Sequence, residues 1–232
     1  HDNLQMSLNL YCAVNEVCPK AKVINPISNC SYPGDADIQV ESQWWSGPVH
    51  KSVWSFANAK RILVVLSECY AVQYHVKSIN FFVANSYGPG DYTDPNRTHA
   101  LNGMIIRMLQ AKWNNESKFE IWGTGKPARE WIYARDLAHM LVNAIDMEQS
   151  QIEPVNIAQN KAYSIRETAE IIKELSGYSG SLAFNTKYQD GALTKQLDDT
   201  LFRTRFPKFE FTDIRDGITE TISYYQQVLK KS

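Results

Sequence analysis

The stretch of sequence at residues 79–91, INFFVANSYGPGD, decides the fold. Its first six residues predict a strand, and the residues after them predict a turn-rich segment as far as residue 95. Residues 53–75 before it predict a helix, and residues 21–27, AKVINPI, predict a strand with Pro26 near its exit. The order strand, helix, strand indicates an α/β fold with right-handed crossovers.

The remaining elements continue this alternation. Ser164 and Glu167 form a capping box at the start of one helix, and Gly177 closes that helix. Residues 28–52 form a long loop rich in glycine, proline and aspartate, and loops of this length in compact domains are usually functional. The further predicted helices are residues 2–17, 99–113, 134–147, 164–175 and 214–229, and the further predicted strands are residues 119–122, 130–133 and 155–157.

The composition narrows the class of protein. The chain has 232 residues, of which 44% are hydrophobic, and a formal charge of −1, which suits one or two globular domains with a substantial core. It contains no basic run of the kind that binds nucleic acid, and no apolar stretch of about 20 residues that would cross a membrane. No signal peptide opens the chain. Four cysteines without metal-ligand spacing indicate reduced thiols, no metal site and a cytoplasmic protein.

Residues 55–60, SFANAK, carry an aromatic ring and an ammonium four positions apart on the predicted helix. Phe56 and Lys60 therefore project from one helix face. With tyrosine at the first position, the lysine cation would lower the phenol pKa and prepare it for proton transfer. Phenylalanine keeps the ring and loses the proton. Packing of the ring beside a solvated lysine is the alternative interpretation.

Several motifs, in this order, resemble the extended short-chain dehydrogenase/reductase family of nucleotide-sugar enzymes. The similarity is greatest to its GDP-L-fucose synthase subgroup, the 3,5-epimerase/4-reductases of GDP-4-keto-6-deoxy-mannose. Together the motifs extend over nearly the whole chain. They are residues 28–34 (SNCSYPG), 56–60 (FANAK), 85–91 (NSYGPGD), 96–99 (NRTH), 121–125 (IWGTG), 129–138 (REWIYARDLA) and 190–191 (DG).

The resemblance implies a Rossmann-type doubly wound parallel sheet with a smaller α/β substrate-binding domain. Residues 1–90 would be the later part of the Rossmann dinucleotide-binding domain, and residues 91–232 mainly the nucleotide-sugar domain, with segments of the two interleaved. No glycine-rich pyrophosphate turn occurs in the sequence. About 80 residues of such a protein, including that turn, are therefore expected upstream. A fragment, a longer protein and a naturally short protein stay open as explanations.

The resemblance also implies a homodimer that pairs through long helices, and residues 53–75 are the candidate for that face. Missing upstream strands would expose parallel strands that are normally buried, which argues against a free monomer. Trp44 and Trp45 in the long loop are open to two interpretations, a lid or dimer contact and the more common role in core packing.

The resemblance assigns hydride-transfer roles to three positions. Ser28 would hydrogen-bond the substrate oxygen, and Lys60 would bind the nicotinamide ribose of NADP or NAD. In relatives a tyrosine stands where Phe56 is and donates the proton to the new alkoxide, and loss of such a donor costs about 10²–10⁴-fold in rate. Phe56 is either natural divergence or an engineered change that traps bound substrate. For Ser28, capping of a turn is the alternative role.

Cys30 and His99 match the positions of a second catalytic pair in the proteins that this chain resembles. Epimerisation beside a ketone needs one group to remove the α-proton and another to return it on the opposite face. A thiol with a pKa of about 8.5 and an imidazole of about 6.5 suit this work. Dehydratases of the family carry an acidic pair here, whereas this chain has Asn29 and Cys30, which disfavours dehydration. The alternatives are a small buried hydrophobe for Cys30 and a solvated helix start for His99.

The remaining predicted site residues bind ligands. Strand ends are where α/β folds place their ligand crevice, and arginine forks suit phosphate oxygens. Thr194 stands where the family has an arginine, which puts a GDP preference in question. Cofactor binding is predicted for Lys60, Ala84, Asn85, Ser86 and His99, and substrate binding for Asn85, Trp122, Arg129 and Lys195.

The resemblance predicts a nucleotide-sugar epimerase/reductase acting on an NDP-4-keto-6-deoxy-hexose, with GDP as the favoured nucleotide and NADP or NAD as cofactor. Cys30 and His99 would shuttle protons, and Phe56 would impair or alter hydride transfer. The alternative is a catalytically reduced homologue, or a trapped mutant, that binds a nucleotide sugar or a partner subunit.

Overall fold

The computed structural model describes residues 1–147 and 151–230. Helices and parallel strands alternate along these residues. The α-helices are α1 (Asp2–Val17), α2 (Trp54–Tyr74), α3 (Ala100–Trp113), α4 (Ala134–Asn143), α5 (Ile165–Ser176), α6 (Thr200–Arg205) and α7 (Ile214–Leu229). The strands are β1 (Lys22–Ser28), β2 (Ile38–Gln39), β3 (Lys77–Val83), β4 (Asn85–Tyr87), β5 (Lys118–Trp122), β6 (Ala128–Tyr133), β7 (Gln151–Ile157), β8 (Ala162–Ser164), β9 (Ser181–Asn185) and β10 (Thr194–Leu197).

The first sheet has the strand order β1-β3-β7, and all its pairs are parallel. Ser28 lies opposite Val83, and Val83 lies opposite Ile157. The carboxyl ends of the three strands therefore meet at one edge, where parallel α/β sheets bind ligands. Around this sheet lies the first hydrophobic cluster, to which α1 contributes Tyr11 and α2 contributes Leu63.

The second sheet has the order β2-β10-β6-β4, with β8 antiparallel to β6, and β5 and β9 form a separate parallel pair. Here the second hydrophobic cluster joins Ile105 of α3, Ile172 of α5 and Tyr225 of α7. Each cluster draws residues from both sides of position 90. The division into residues 1–90 and 91–232 stays a prediction.

The long helices lie where their periodicity and caps predicted them. Ser164 and Glu167 form the expected capping box, and Gly177 takes the left-handed conformation, φ 67°, that ends α5. The segment predicted as a helix over residues 134–147 was too long, because α4 ends at Asn143 and a 3₁₀ turn follows. Among the described residues, no helix is long and apolar enough to span a bilayer.

Several short elements were not predicted. The segment at 85–95, predicted as turns, begins with β4, and the strand predicted at 155–157 starts earlier, at residue 151. Strands β2, β8, β9 and β10 and helix α6 were also missed. These strands are short, and polar residues interrupt them, so their pairing depends on neighbouring strands rather than on a local pattern.

Arg61 of α2 fixes the loop at residues 28–52 against the helix. Its side chain, 6% exposed, donates Nε to the carbonyl of Ser31 (2.7 Å) and Nη2 to those of Trp44 (3.0 Å) and Gly47 (2.8 Å). The Trp44 ring packs on the first cluster, whereas Trp45 is 55% exposed. Core packing is therefore the role of the first tryptophan only.

Candidate active site

Ser28 ends β1 at the ligand edge of the first sheet and begins a 3₁₀ turn. Its Oγ accepts the backbone N–H of Cys30 at 3.2 Å. The serine therefore does cap a turn, which was the alternative role. A hydroxyl that accepts one hydrogen bond still has its own proton to donate, so capping leaves room for a contact with a substrate oxygen.

The turn after Ser28 brings Cys30 to a cationic corner of the molecule. Lys195 of β10 places its Nζ 3.1 Å from the Cys30 sulfur, and Arg129 of β6 is the strand partner of Lys195. Burial lowers the pKa of Arg129, and the nearby Cys30 sulfur and Asp190 carboxylate oppose that shift. Three of the predicted site residues, far apart in sequence, are therefore neighbours. Cys30 is half-buried and its thiol contacts an ammonium, so the alternative role of a small buried hydrophobic residue does not describe it.

Phe56 and Lys60 share one face of α2, as their spacing predicted. The Lys60 Nζ lies 5.6 Å from the centroid of the Phe56 ring. The ring is 41% exposed, so it does not serve core packing. Within residues 1–147 and 151–230, no carboxylate lies at ion-pair distance from Lys60. The ammonium is free to meet a ligand.

His99 precedes α3 and pairs with a carboxylate. Its Nδ1 lies 3.1 Å from each oxygen of Asp91, whose side chain is 11% exposed while that of His99 is 71% exposed. Burial raises the pKa of Asp91, but hydrogen bonds from the His99 backbone, Asn102, the His99 ring and the Tyr92 backbone outweigh it and lower the pKa to about 2. The carboxylate is ionised at neutral pH.

His99 lines a cleft of about 370 Å³ together with Trp122 of β5. The Trp122 ring is 60% exposed and stacks on Tyr188, with centroids 4.8 Å apart and planes 22° apart. Arg107 of α3 enters the same cleft, and its guanidinium carbon lies 5.6 Å from the Trp122 ring. Burial lowers the pKa of Arg107, and the Glu120 carboxylate opposes the shift. The cleft therefore combines an aromatic platform, a cation and an imidazole.

The predicted cofactor residues at the end of β3 differ in accessibility. Ala84 is buried, Asn85 is half-buried and Ser86 is exposed. The Asn85 amide nitrogen donates to the carbonyl of Glu130 at 3.2 Å, and Asn85 pairs with Trp131 in the second sheet. The Asn85 amide N–H is thus used within the fold. A ligand-orienting role for Asn85 stays a prediction.

The two proposed proton carriers have different partners. Cys30 contacts Lys195, and His99 contacts Asp91. In the part of the chain that the structure describes, no hydrogen bond or ion pair joins the Cys30 sulfur to the His99 ring. Their cooperation on one substrate stays a prediction.

Comparison with known families decides the class of protein. Residues 1–158 match the NAD dependent epimerase/dehydratase family, which is more than half of the chain. The chain belongs to this family. The motif-based prediction of the extended short-chain dehydrogenase/reductase class is confirmed.

Two plant members of the epimerase/dehydratase family illustrate the similarity. A protein described as "Probable GDP-L-fucose synthase 1" from Oryza sativa subsp. japonica is 30% identical over 224 residues, covering 96% of this chain and 68% of the relative. "GDP-L-fucose synthase 1" of Arabidopsis thaliana is 31% identical over 226 residues, covering 96% and 68%. The chain thus spans about two thirds of each relative.

Among solved structures, a GDP-L-fucose synthetase from Naegleria fowleri bound to NADP superposes with a TM-score of 0.90 at 27% identity. The superposition covers 100% of this chain and 74% of that chain. The Rossmann-like α/β fold expected of an epimerase/dehydratase is confirmed.

Four residues near the site had no predicted role in this epimerase/dehydratase. Asp91 lies eight positions before His99, and Arg107 lies eight positions after it. The sequence feature that could have indicated Asp91 is a carboxylate shortly before a helix start. Arg107 lies between Ile106 and Met108 of α3, in a sequence that carried no functional signal. Tyr188 lies in a segment with no regular pattern, so its stacking on Trp122 had no sequence signal.

The fourth is Glu130, a carboxylate at the first position of the strand predicted at residues 130–133. It is 1% exposed, and its two oxygens accept the backbone N–H groups of Gln159 (2.6 Å) and Leu197 (2.9 Å). Burial raises its pKa to about 7. Glu130 ties β6 to β10 and to the segment after β7, next to Arg129.

Proposed function

We propose that the chain functions as an NAD(P)-dependent nucleotide-sugar epimerase/reductase that acts on an NDP-4-keto-6-deoxy-hexose. The observation that carries the proposal is the contact of the Cys30 sulfur with the Lys195 ammonium beside Arg129. Relatives described as GDP-L-fucose synthases support GDP as the nucleotide.

Proton transfer is assigned to Cys30 and His99. Abstraction of a proton beside a ketone places negative charge on the carbonyl oxygen, and preorganised cations stabilise such charge. Lys195 supplies an ammonium at the Cys30 sulfur. Arg129, its partner on the adjacent strand β6, supplies a guanidinium. His99, at the cleft with Trp122, would exchange the proton on the other face of the sugar.

Substrate binding is assigned to two cations beside Cys30 and to the aromatic ring and guanidinium of the cleft at His99. Arg129 and Lys195 are suited to the diphosphate, and an arginine fork matches phosphate oxygens. Trp122 offers an exposed ring for the nucleotide. Thr194 lacks the charge of the family's arginine, whereas Arg107 adds a guanidinium that the motifs did not predict.

The residues at the end of β3 and on α2 fit a nicotinamide cofactor, and NADP is the form present in the Naegleria structure. Lys60, with no ion-pair partner among the described residues, is suited to hydrogen-bond ribose hydroxyls, and Ala84, Asn85, Ser86 and His99 would contact the cofactor. When bound, a reduced nicotinamide supplies hydride to a keto sugar. No glycine-rich turn occurs in these 232 residues, so the pyrophosphate is not assigned to any of them.

The reductase half lacks its usual acid. Ser28 can donate a hydrogen bond to the substrate oxygen, but Phe56 has no proton to give. We therefore expect slow reduction and intact epimerisation. A second candidate, a catalytically reduced homologue or trapped form that binds a nucleotide sugar or partner subunit, is favoured by the same missing hydroxyl.

Solvent exchange separates these two candidates. The chain is incubated in deuterium oxide with GDP-4-keto-6-deoxy-mannose, and deuterium beside the ketone is followed by mass spectrometry. We expect incorporation that Cys30→Ser or His99→Ala reduces by about 10²-fold or more. Cys69→Ser and His139→Ala, both at exposed positions, are the matched controls and should leave exchange unchanged. Binding of the sugar nucleotide without any exchange would replace this proposal by the binding role.

A homodimer remains part of the proposal. Apolar side chains stand exposed on both N-terminal helices, among them Met6 (69%) of α1 and Val72 (74%) of α2. Side chains of this kind would be buried by pairing of these helices. Sedimentation of the chain, compared with Met6→Lys and Val72→Lys variants, tests pairing through these helices; an unchanged monomer in all three would contradict it.

A further inference from the structure

Asp91 lies in the turn between β4 and α3, and five donors converge on its carboxylate. One oxygen, Oδ2, accepts three of them, and the other, Oδ1, accepts the backbone N–H of Tyr92 at 2.9 Å. The donors to Oδ2 are the hydroxyl of Thr98 (3.3 Å), the backbone N–H of His99 (2.8 Å) and the amide of Asn102 (3.1 Å). The fifth is the His99 ring, whose Nδ1 lies 3.1 Å from both oxygens. The position of this carboxylate is therefore fixed from several sides.

The chemistry of this contact decides where the His99 proton sits. A neutral imidazole carries one N–H and one lone pair, whereas an ionised carboxylate only accepts hydrogen bonds. Nδ1 must therefore hold the proton, and the lone pair is on Nε2. No described residue hydrogen-bonds Nε2, and the ring lines the cleft. Nε2 is the nitrogen available for proton transfer.

We propose that Asp91 is a positioning residue that holds His99 as the Nδ1–H tautomer and thereby presents the Nε2 lone pair to the substrate. The inference rests on the proposed function only in so far as His99 transfers a proton. Orientation of a base by a third group is the arrangement that makes many histidines effective.

Asp91→Asn tests the proposal with little change in shape. Three donors meet at Oδ2, so the amide oxygen of the new side chain should take that place. Its NH₂ group then occupies the Oδ1 position, where it loses the hydrogen bond from the Tyr92 backbone N–H. Donation from this NH₂ group to His99 Nδ1 moves the lone pair to Nδ1 and the proton to Nε2. Thr98→Val is the matched control, because it removes another donor from the same carboxylate and leaves the His99 contact.

The tautomer is read directly by long-range nitrogen NMR of the isotope-labelled chain, without substrate. His99→Gln identifies the His99 signals among the five histidines. We expect Nδ1–H in the parent chain and in Thr98→Val, and Nε2–H in Asp91→Asn. Deuterium exchange should fall about 10²-fold in Asp91→Asn, with substrate affinity kept, and should hardly change in Thr98→Val.

Nε2–H in the parent chain would overturn the proposal even if the variant failed to fold. The two proposals fail separately: absence of exchange in the parent chain counts against the epimerase function, whereas the tautomer measurement needs no catalysis.

Discussion

The ammonium of Lys195 lies 3.1 Å from the sulfur of Cys30, although 165 positions separate the two residues in the chain. Lys195 is held there by β10, which pairs with β6 on one side and β2 on the other. Cys30 is held by the turn that Ser28 caps. A positive charge at this distance stabilises negative charge on sulfur.

Lys195→Met should slow alkylation of Cys30 several-fold, because the variant loses the ammonium that contacts the sulfur. The rate is measured with iodoacetamide by peptide mass spectrometry, so that Cys12, Cys18 and Cys69 serve as internal references. Lys187→Met, at an exposed position, is the control and should leave the Cys30 rate unchanged. Equal rates in both variants would mean that the contact does not influence the thiol.

Phe56→Tyr should restore the missing acid. The new phenol would stand beside the Lys60 ammonium, which favours the phenolate, so its pKa should fall below about 10. Ultraviolet difference titration against the parent chain measures it, and Phe56→Tyr combined with Lys60→Met is the control with a higher phenol pKa. With bound NADPH and a keto-sugar substrate, cofactor oxidation should rise by about 10²–10⁴-fold. An unchanged rate despite cofactor binding would contradict the role assigned to this position.

Arg61→Ala should lower the free energy of unfolding by about 2–4 kcal/mol, since three carbonyls lose a charged donor in a buried site. Denaturant titration measures the loss. Arg135 forms an exposed ion pair with Glu220 at 2.9 Å, so Arg135→Ala is the matched control and should cost less than about 1 kcal/mol. Similar losses in the two variants would show that the loop does not depend on Arg61.

Stability should fall as pH rises from about 5 to about 8 because of Glu130. Its pKa is raised by burial from 4.5 to about 7, so in this window the folded state holds a proton that the unfolded state has lost. The linked change is on the order of 3 kcal/mol. Denaturant titrations at the two pH values should show a smaller pH dependence for Glu130→Gln than for the parent chain. Glu170→Gln, at an exposed position on α5, should retain the parent dependence.

Local patterns were enough for most of the long helices and for part of the candidate site. The capping box at Ser164 and the i, i+4 spacing of Phe56 and Lys60 are properties of a few neighbouring residues, and the structure has both. The parallel first sheet followed from the strand–helix–strand order around residues 79–91. These features do not require knowledge of which distant segments meet.

The parts that depend on distant pairing could not be predicted from the sequence. Lys195 was expected near the diphosphate, but its contact with Cys30 follows from β10, a four-residue strand with a polar sequence that the pattern did not reveal. The stacking of Tyr188 on Trp122 likewise arises from two segments far apart in the chain. Glu130 was predicted as the first residue of a short strand, and its hydrogen bonds from the backbone N–H groups of Gln159 and Leu197 had no sequence signal.

The three carbonyls held by Arg61 make the thiol-bearing loop and α2 a single mechanical piece. Lys195 and Arg129 belong to the neighbouring sheet. Ile132 of β6 and Leu197 of β10 pack in the same hydrophobic cluster as Leu63 of α2. The thiol, its ammonium partner and the Lys60 amine are therefore carried by elements that share one core.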